Sequence, residues 1–194
     1  EFVGADLSGA GMSPVRADHA GFGNCKLNGA VLFGADLRAA TFSGASLLGA
    51  DLRVVVGDEA RLVGADLRRA DLSGVCLKDA DLTECRFDGA ILVNVDLRAS
   101  RLRGIKDYSS AIWVGADIRD VDFTGAWLLR RHVLDANYID EFRNQSGLHE
   151  WAYRLWWVSS DCGRSLSRWT LWCVFMMAVF AGLYTQVAID YGGH

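Results

Sequence analysis

The sequence predicts an array of short stacked β repeats over residues 1–129, followed by α-helices that include one membrane-spanning helix. Three observations support this fold class. Leu or Phe recurs at every fifth residue, a small residue stands two positions before it, and residues 169–189 carry no charged side chain. The 194 residues hold 20 Lys or Arg and 24 Asp or Glu, a net charge of −4. This balance excludes a broadly basic surface, so we expect no nucleic-acid partner.

The five-residue period defines the predicted core. Leu or Phe fills 18 of the 21 fifth positions between Phe2 and Leu102, and the exceptions are Met12, Ala17 and Gly57. The position two residues earlier always holds Ala, Val, Cys or Ser. Residues two apart share a face in an extended chain, so both side chains point inward while the other three positions face water and turn a corner. Such a unit cannot bury its own core and must stack on copies of itself.

The candidate core residues are large members of this series. They are Phe22, Leu27, Leu32, Leu37, Phe42, Leu47, Leu52, Leu62, Leu67, Leu72, Leu77, Leu82, Phe87, Leu92 and Leu97. Cys25 and Cys85 occupy the small inward position, where a buried thiol is unreactive. The period slips by one residue after Arg103, and it resumes with Trp113, Ile118, Phe123 and Leu128 at the large positions.

Short repeated segments carry a family resemblance. Residues 4–8 read G-A-D-L-S, residues 34–38 read G-A-D-L-R, and residues 69–73 read R-A-D-L-S. With these segments, the chain resembles the pentapeptide-repeat family over about two thirds of its length. The resemblance implies an all-β, right-handed quadrilateral β-helix with one repeat on each of four sides. On that fold Ala17 and Gly57 lie on the same side, and we expect a local bulge or loop at residues 54–59.

The polar residues of the repeats predict a solvated, charged surface. Asp often precedes the central Leu, and Arg follows it at Arg38, Arg53, Arg68 and Arg98, so the alternation neutralises much of the negative field. A ladder of surface carboxylates offers no pocket that would raise a pKa for catalysis. The four histidines are scattered, and the sequence contains no nucleophile elbow and no phosphate-binding loop. We therefore expect no enzyme activity, no catalytic residue, no cofactor and no metal site.

Residues 169–189 form the predicted transmembrane helix. These 21 residues would span about 31 Å as a helix, which matches the hydrocarbon core of a bilayer. Arg154, Arg164 and Arg168 precede the span, and Asp190 follows it. Because positive flanks stay in the cytoplasm, we expect the rod to lie inside and residues 190–194 to begin an extracytoplasmic loop. No signal-peptide pattern is visible at the start of the sequence.

Residues 130–168 are interpreted as a helical adaptor. Leu134, Tyr138 and Phe142 are four residues apart and share a helical face. Two alternatives remain open for this segment: a helix that lies at the membrane interface, or a cap packed on the last coil of the rod. The candidate membrane-interface residues are Trp151, Trp156, Trp157, Arg164, Arg168, Trp169 and Trp172.

A second resemblance concerns the C-terminal third. The run of residues 155–165, the apolar helix and the segment D-Y-G-G-H at 190–194 look like bacterial inner-membrane proteins that join pentapeptide repeats to a two-helix, potassium-channel-like pore module. The resemblance implies that the rod and first membrane helix serve assembly or gating, in contact with membrane lipid. It also implies a homo-oligomer, possibly a tetramer, with a cytoplasmic protein partner whose identity is unknown.

Two alternative functions follow from the same residues. The first is a membrane-tethered pentapeptide-repeat scaffold without a pore, since no potassium selectivity-filter sequence occurs in the chain. The second is a gyrase-binding DNA mimic, because some members of the family resemble a DNA duplex and bind gyrase through an acidic surface. The second alternative leaves the apolar run 169–189 without a role.

Overall fold

The N-terminal part of the chain is a stack of coils, each made of four five-residue repeats. The computed structural model describes residues 1–105, 107–144, 170 and 174. Parallel bridges join residues that are twenty apart, such as Lys26 with Ser46 and Ser46 with Asp66. The chain divides into two units, Glu1–Tyr138 and Ile139–His194. The first unit contains the coils and the greater part of helix α1, Trp127–Asn144.

Backbone hydrogen bonds between neighbouring coils hold the stack together. The amide of Leu47 donates to the carbonyl of Asp66 at 2.8 Å, and the amide of Ser46 donates to the carbonyl of Cys25 at 2.9 Å. Within the repeat, the amide of Ala50 closes the turn on the carbonyl of Leu47 at 3.0 Å. Each repeat contributes one bridge residue, so the β structure of the described coils consists of isolated bridges. Strands of more than one residue do not occur in the described part of the chain.

The four sides of the coil each stack one column of large side chains. Side one contains Phe22, Phe42, Leu62, Leu82 and Leu102; side two Leu27, Leu47, Leu67 and Phe87; side three Leu32, Leu52, Leu72, Leu92 and Trp113; side four Leu37, Gly57, Leu77 and Leu97. All fifteen predicted core residues are buried, with at most 5% of their surface exposed. Small residues between the columns, such as Ala30 and Ala65, are also buried and let the columns approach.

Gly57 does not produce the bulge that the sequence predicts, and that expectation is wrong. Val56 bridges both Asp36 and Cys76, and the Gly57 amide donates to the Cys76 carbonyl at 2.8 Å, as in every regular repeat. The repeat keeps its register because backbone groups, and not the inward side chain, make these contacts. The missing side chain instead leaves an apolar cavity of about 20 Å³, bordered by Leu37 and Leu77.

The one-residue slip after Arg103 lengthens the last coil. Bridges there join residues 21 apart, as in the pair Ile91 and Ile112, which confirms the slip. Trp113 then takes the inward position, is 1% exposed and packs edge-on against Phe87 with ring centres 5.4 Å apart. The larger ring fills the space that the lengthened coil encloses.

Helix α1 caps the last coil. Leu129 and Val133 are fully buried against it. The Asn137 side chain accepts a hydrogen bond from the Gly115 amide at 2.9 Å and donates one to the Ala116 carbonyl at 2.8 Å, which satisfies backbone groups at the end of the stack. The described part of the adaptor, residues 130–144, therefore includes a cap. The rest of the adaptor lies outside the described residues.

The start of α1 changes one predicted core position. The helix begins at Trp127, so Leu128 is helical and 52% exposed instead of continuing the inward column. Leu134 and Tyr138 are 44% and 58% exposed, because the helix packs on the coil through its opposite face.

None of the helices within residues 1–105 and 107–144, or at positions 170 and 174, is long and apolar enough to cross a membrane. Apart from these two positions, the predicted span 169–189 lies outside the described residues, and so does the loop 190–194.

The cavity at Gly57 predicts a stabilising substitution. Gly57→Ala should raise the free energy of unfolding by about 0.5–1 kcal/mol, because Gly57 is not left-handed and the change restricts the unfolded chain. The new Cβ would lie 3.1 Å from Cδ2 of Leu77, which borders the cavity and has room to move. Urea unfolding followed by circular dichroism measures the change.

Gly64→Ala is the matched control for Gly57→Ala. Gly64 has φ +68° at the turn, with no neighbouring atom within 4 Å of a new Cβ. Any loss there comes from the left-handed backbone alone, and we expect about 1 kcal/mol of destabilisation. Equal effects of the two substitutions would contradict the assignment of Gly57 to an underfilled core position.

Candidate functional site

The outward side chains of the coils are the candidate functional surface. In each repeat the bridge residue and the residue after the core position point away from the core, so every side presents two columns of side chains. On side three, one column holds Val31 and Asp51 and the other holds Phe33 and Arg53. These side chains do not close the coil, so their chemistry is free to differ from side to side.

Bidentate Asp–Arg pairs recur on this surface. Nε of Arg38 donates to Oδ1 of Asp36 at 2.8 Å, and Nη2 donates to Oδ2 at 2.6 Å. Two residues with one between them meet this way because both lie outward on the same repeat. The arrangement recurs in the pairs Asp51–Arg53, Asp66–Arg68, Asp96–Arg98 and Asp117–Arg119.

These pairs keep their carboxylates ionised. Hydrogen bonding by the Arg38 side chain lowers the pKa of Asp36 from 3.8 to about 2. The Arg98 guanidinium lowers the pKa of Asp96 to about 2 in the same way, with a further contribution from Lys78. Both shifts place the pKa far below neutral pH, so neither carboxyl can act as a general acid or base under physiological conditions.

Side four is the most charged side. Its outward and turn positions hold eight acidic and five basic residues, so most of the net charge of −4 carried by residues 1–129 lies there. Ion pairs also run between coils: Nζ of Lys78 lies 3.5 Å from Oδ2 of Asp96, and Nε of Arg98 lies 3.6 Å from Oδ2 of Asp117. Charges of opposite sign therefore pair within and between levels, and the side does not present a continuous negative strip.

Side three is the apolar side, which the sequence reasoning missed. Six of its twelve outward residues are Val, Ile or Phe, against one of twelve on side four. They are Val31, Phe33, Ile91, Val93, Ile112 and Val114, and Val31, Phe33 and Ile112 are 39%, 43% and 48% exposed. Reading the outward positions at intervals of twenty residues, instead of the inward ones at five, would have revealed this side.

Two of the free thiols of the described residues are buried in the coils. Sγ of Cys85 donates to the Leu62 carbonyl at 3.0 Å, and burial raises the pKa of this thiol. Cys25 is likewise buried. A cleft of about 240 Å³ beside the start of α1 is lined mainly by apolar side chains, including Tyr108 and Leu129. Within the described ranges no group of three or more His, Cys, Asp or Glu could hold a metal ion.

The predicted membrane-interface residues cannot be placed on this surface. Trp151, Trp156, Trp157, Arg164, Arg168, Trp169 and Trp172 all lie outside the described residues. The structure brings the predicted core residues together in one continuous interior. The role of the seven residues at a membrane interface stays a prediction.

Comparison with known proteins agrees with the repeat architecture. The family described as pentapeptide repeats, in eight copies, matches residues 18–53, 35–74 and 65–104. The chain is similar to a pentapeptide-repeat protein of the Arabidopsis thaliana thylakoid lumen, with 30% identity, 61% of this chain and 72% of that chain covered, and a TM-score of 0.29. None of the curated proteins matches.

Two further solved structures are similar at lower identity. A pentapeptide-repeat protein from the cyanobacterium Cyanothece 51142 is 19% identical, with 63% of this chain and 82% of that chain covered and a TM-score of 0.35. Full-length QnrB1, a plasmid-mediated fluoroquinolone resistance protein, is 20% identical, with 66% and 84% covered and a TM-score of 0.27.

The Asp–Arg pairs predict a loss of stability in acid. Asp36 and Asp96 have a pKa near 2 when folded and 3.8 ordinarily, so the unfolded state binds more protons between these values. Their stabilising contribution is complete above about pH 4 and is lost as the pH falls through about 2. Urea unfolding between pH 5 and pH 2 should show a steadily falling free energy of unfolding.

The double variant Arg38→Gln and Arg98→Gln is the control for the acid prediction. Without the two guanidinium groups, the pKa values of Asp36 and Asp96 should move back toward 3.8, and the stability curve should flatten over the same pH range. An unchanged slope in the double variant would show that other carboxyls are responsible.

Proposed function

We propose that this chain, which belongs to the pentapeptide-repeat family, is a non-catalytic scaffold that binds a protein partner through side four of its rod. The observation that carries the proposal is the concentration of bidentate pairs on that side, which holds three of the five: Asp36–Arg38, Asp96–Arg98 and Asp117–Arg119. Pre-positioned charges of both signs favour one partner and one register over others.

The rod suits this role because its backbone needs no partner to order it. Neighbouring coils satisfy the backbone groups, as in the Leu47 to Asp66 hydrogen bond of 2.8 Å, so a partner meets an ordered surface and little ordering entropy is lost on binding. Rigid repeats that present side chains in columns form extended binding surfaces in other solenoid proteins.

The proposal includes attachment to a bacterial inner membrane, with the rod in the cytoplasm. Its support is the uncharged run 169–189 together with the three arginines that precede it. Assembly or gating of a potassium-channel-like pore remains a prediction from the resemblance of residues 155–194. The family match ends at residue 104 and does not bear on it.

A second candidate function, gyrase binding by DNA mimicry, is favoured by the acidic excess of side four. The pairing of its carboxylates with Arg38, Arg98 and Arg119 opposes this function, because it interrupts the negative field that would imitate a phosphate backbone. A supercoiling assay with the full chain separates the two functions. Scaffold function predicts no inhibition at micromolar protein, and inhibition would make gyrase binding the leading function.

Photo-crosslinking in cells tests the scaffold proposal. A photoreactive benzoylphenylalanine in place of Lys78, on side four, should give one defined protein adduct in the membrane fraction. The same group in place of Leu48, which is exposed on side two, should give none. The adduct should disappear when Arg98→Glu reverses a neighbouring charge. Adducts of equal yield from both sides, or an adduct that ignores the charge reversal, would overturn the proposal.

A further inference from the structure

Side three carries a pattern that matches itself. At each level of the stack its two outward positions have compatible chemistry: Val31 with Phe33 in the second coil, Asp51 with Arg53 in the third, and Asp71 with Ser73 in the fourth. The fifth and sixth coils add Ile91 with Val93 and Ile112 with Val114, and the first adds Gly11 with Ser13. Apolar residues therefore pair with each other in the second, fifth and sixth coils, opposite charges pair in the third, and an acceptor pairs with a hydroxyl donor in the fourth.

We propose that two copies of this chain pack face to face through side three, with a two-fold axis parallel to the stack. Each copy has two outward columns on side three: the bridge residues, and the residues that follow the core position. The axis places the bridge column of one copy opposite the second of these columns in the other copy, at the same level. Val31 then faces Phe33 of the second copy, and Asp51 faces Arg53 of the second copy. A two-fold interface uses the same patch on both subunits, and this patch is complementary to itself under that operation.

The electrostatics of the third coil favour this arrangement. Arg53 binds Asp51 through Nε and Nη2, at 2.9 and 2.8 Å, and its guanidinium also lies over the Phe33 ring at 5.4 Å from the ring centre. A guanidinium has five donors, so in the proposed dimer Nη1 would donate to the carboxylate of Asp51 in the second copy. Two Asp51–Arg53 pairs facing each other would bring opposite charges together, while Asp71, whose Oδ2 lies 3.9 Å from Nε of Arg53, adds one negative charge per copy in the next coil.

The apolar levels supply the driving force. Val31, Phe33 and Ile112 are between 39% and 48% exposed, and all lie on side three. Flat β surfaces pack about 10 Å apart with interdigitated side chains, and β-branched and aromatic residues suit that spacing. Six coils at about 4.8 Å give a face about 29 Å long, of which about half the outward residues are polar or charged. We therefore expect a dimer that dissociates on dilution in the micromolar range.

This inference goes beyond partner binding by side four and does not depend on it, because the two surfaces are separate sides of the rod. A copy docked on side three leaves Arg38, Lys78 and Arg98 of side four uncovered. Failure of the crosslinking experiment would leave the dimer standing, and a monomeric rod would leave the partner proposal standing.

Sedimentation velocity of the full chain in detergent, with the detergent mass subtracted, tests the dimer. Ile112→Lys, on side three, should raise the dissociation constant of the dimer at least tenfold. Leu48→Lys is the matched control, because Leu48 is similarly exposed on side two, and it should leave the constant unchanged. A monomer at all concentrations would overturn the proposal, and so would an oligomer that responds equally to both substitutions.

A charge exchange tests the register of the two copies. Asp51→Arg and Arg53→Glu each place like charges opposite each other, so either variant alone should dimerise at least tenfold more weakly. In an equimolar mixture the two variants present opposite charges, and a heterodimer of wild-type affinity should form. Circular dichroism and thermal unfolding confirm that each variant is folded. If the folded variants do not recover dimerisation when mixed, the face-to-face register is wrong.

Discussion

The hydrogen-bond ladder between successive coils is the interaction on which the rest of the structure depends. It sets the coil at twenty residues up to the slip after Arg103, because each bridge residue lies over its equivalent in the next coil, as Ser46 lies between Lys26 and Asp66. The large and small inward residues then fall into columns that no single repeat could bury alone. The interior coils are covered on both sides, and α1 covers the last one.

The ladder also separates the requirements of folding from those of function. Closing a coil uses backbone groups and inward side chains, so the outward columns carry little of the fold. They differ accordingly: side four holds opposite charges in bidentate pairs, while side three exposes Val31, Phe33 and Ile112. Both proposed interactions use columns of this kind, and neither needs a pocket or a catalytic group.

Much of the interior could be predicted from the sequence, since inward positions repeat every five residues with little variation from Phe22 to Leu97. The bulge expected at Gly57 is wrong because the five-residue period reflects only the type of the inward side chain. The register of the coil depends instead on backbone hydrogen bonds such as that of the Gly57 amide. The five-residue period does not reveal the apolar side three, because its outward residues recur every twenty residues and are interrupted by Asp51 and Asp71. The period also does not predict the start of α1 at Trp127, because Leu128 is the type of residue expected at an inward position although it lies in the helix.

A pair of deletions tests the twenty-residue coil most directly. Removing residues 62–81 takes out one whole coil and joins Arg61 to Leu82, so every inward column keeps its phase. Removing residues 62–80 leaves Asp81 at an inward position. Thermal unfolding followed by circular dichroism should show a cooperative transition for the first deletion, at a temperature somewhat below that of the full chain, and none for the second. Equal stability of the two deletions would contradict the ladder as the organising constraint.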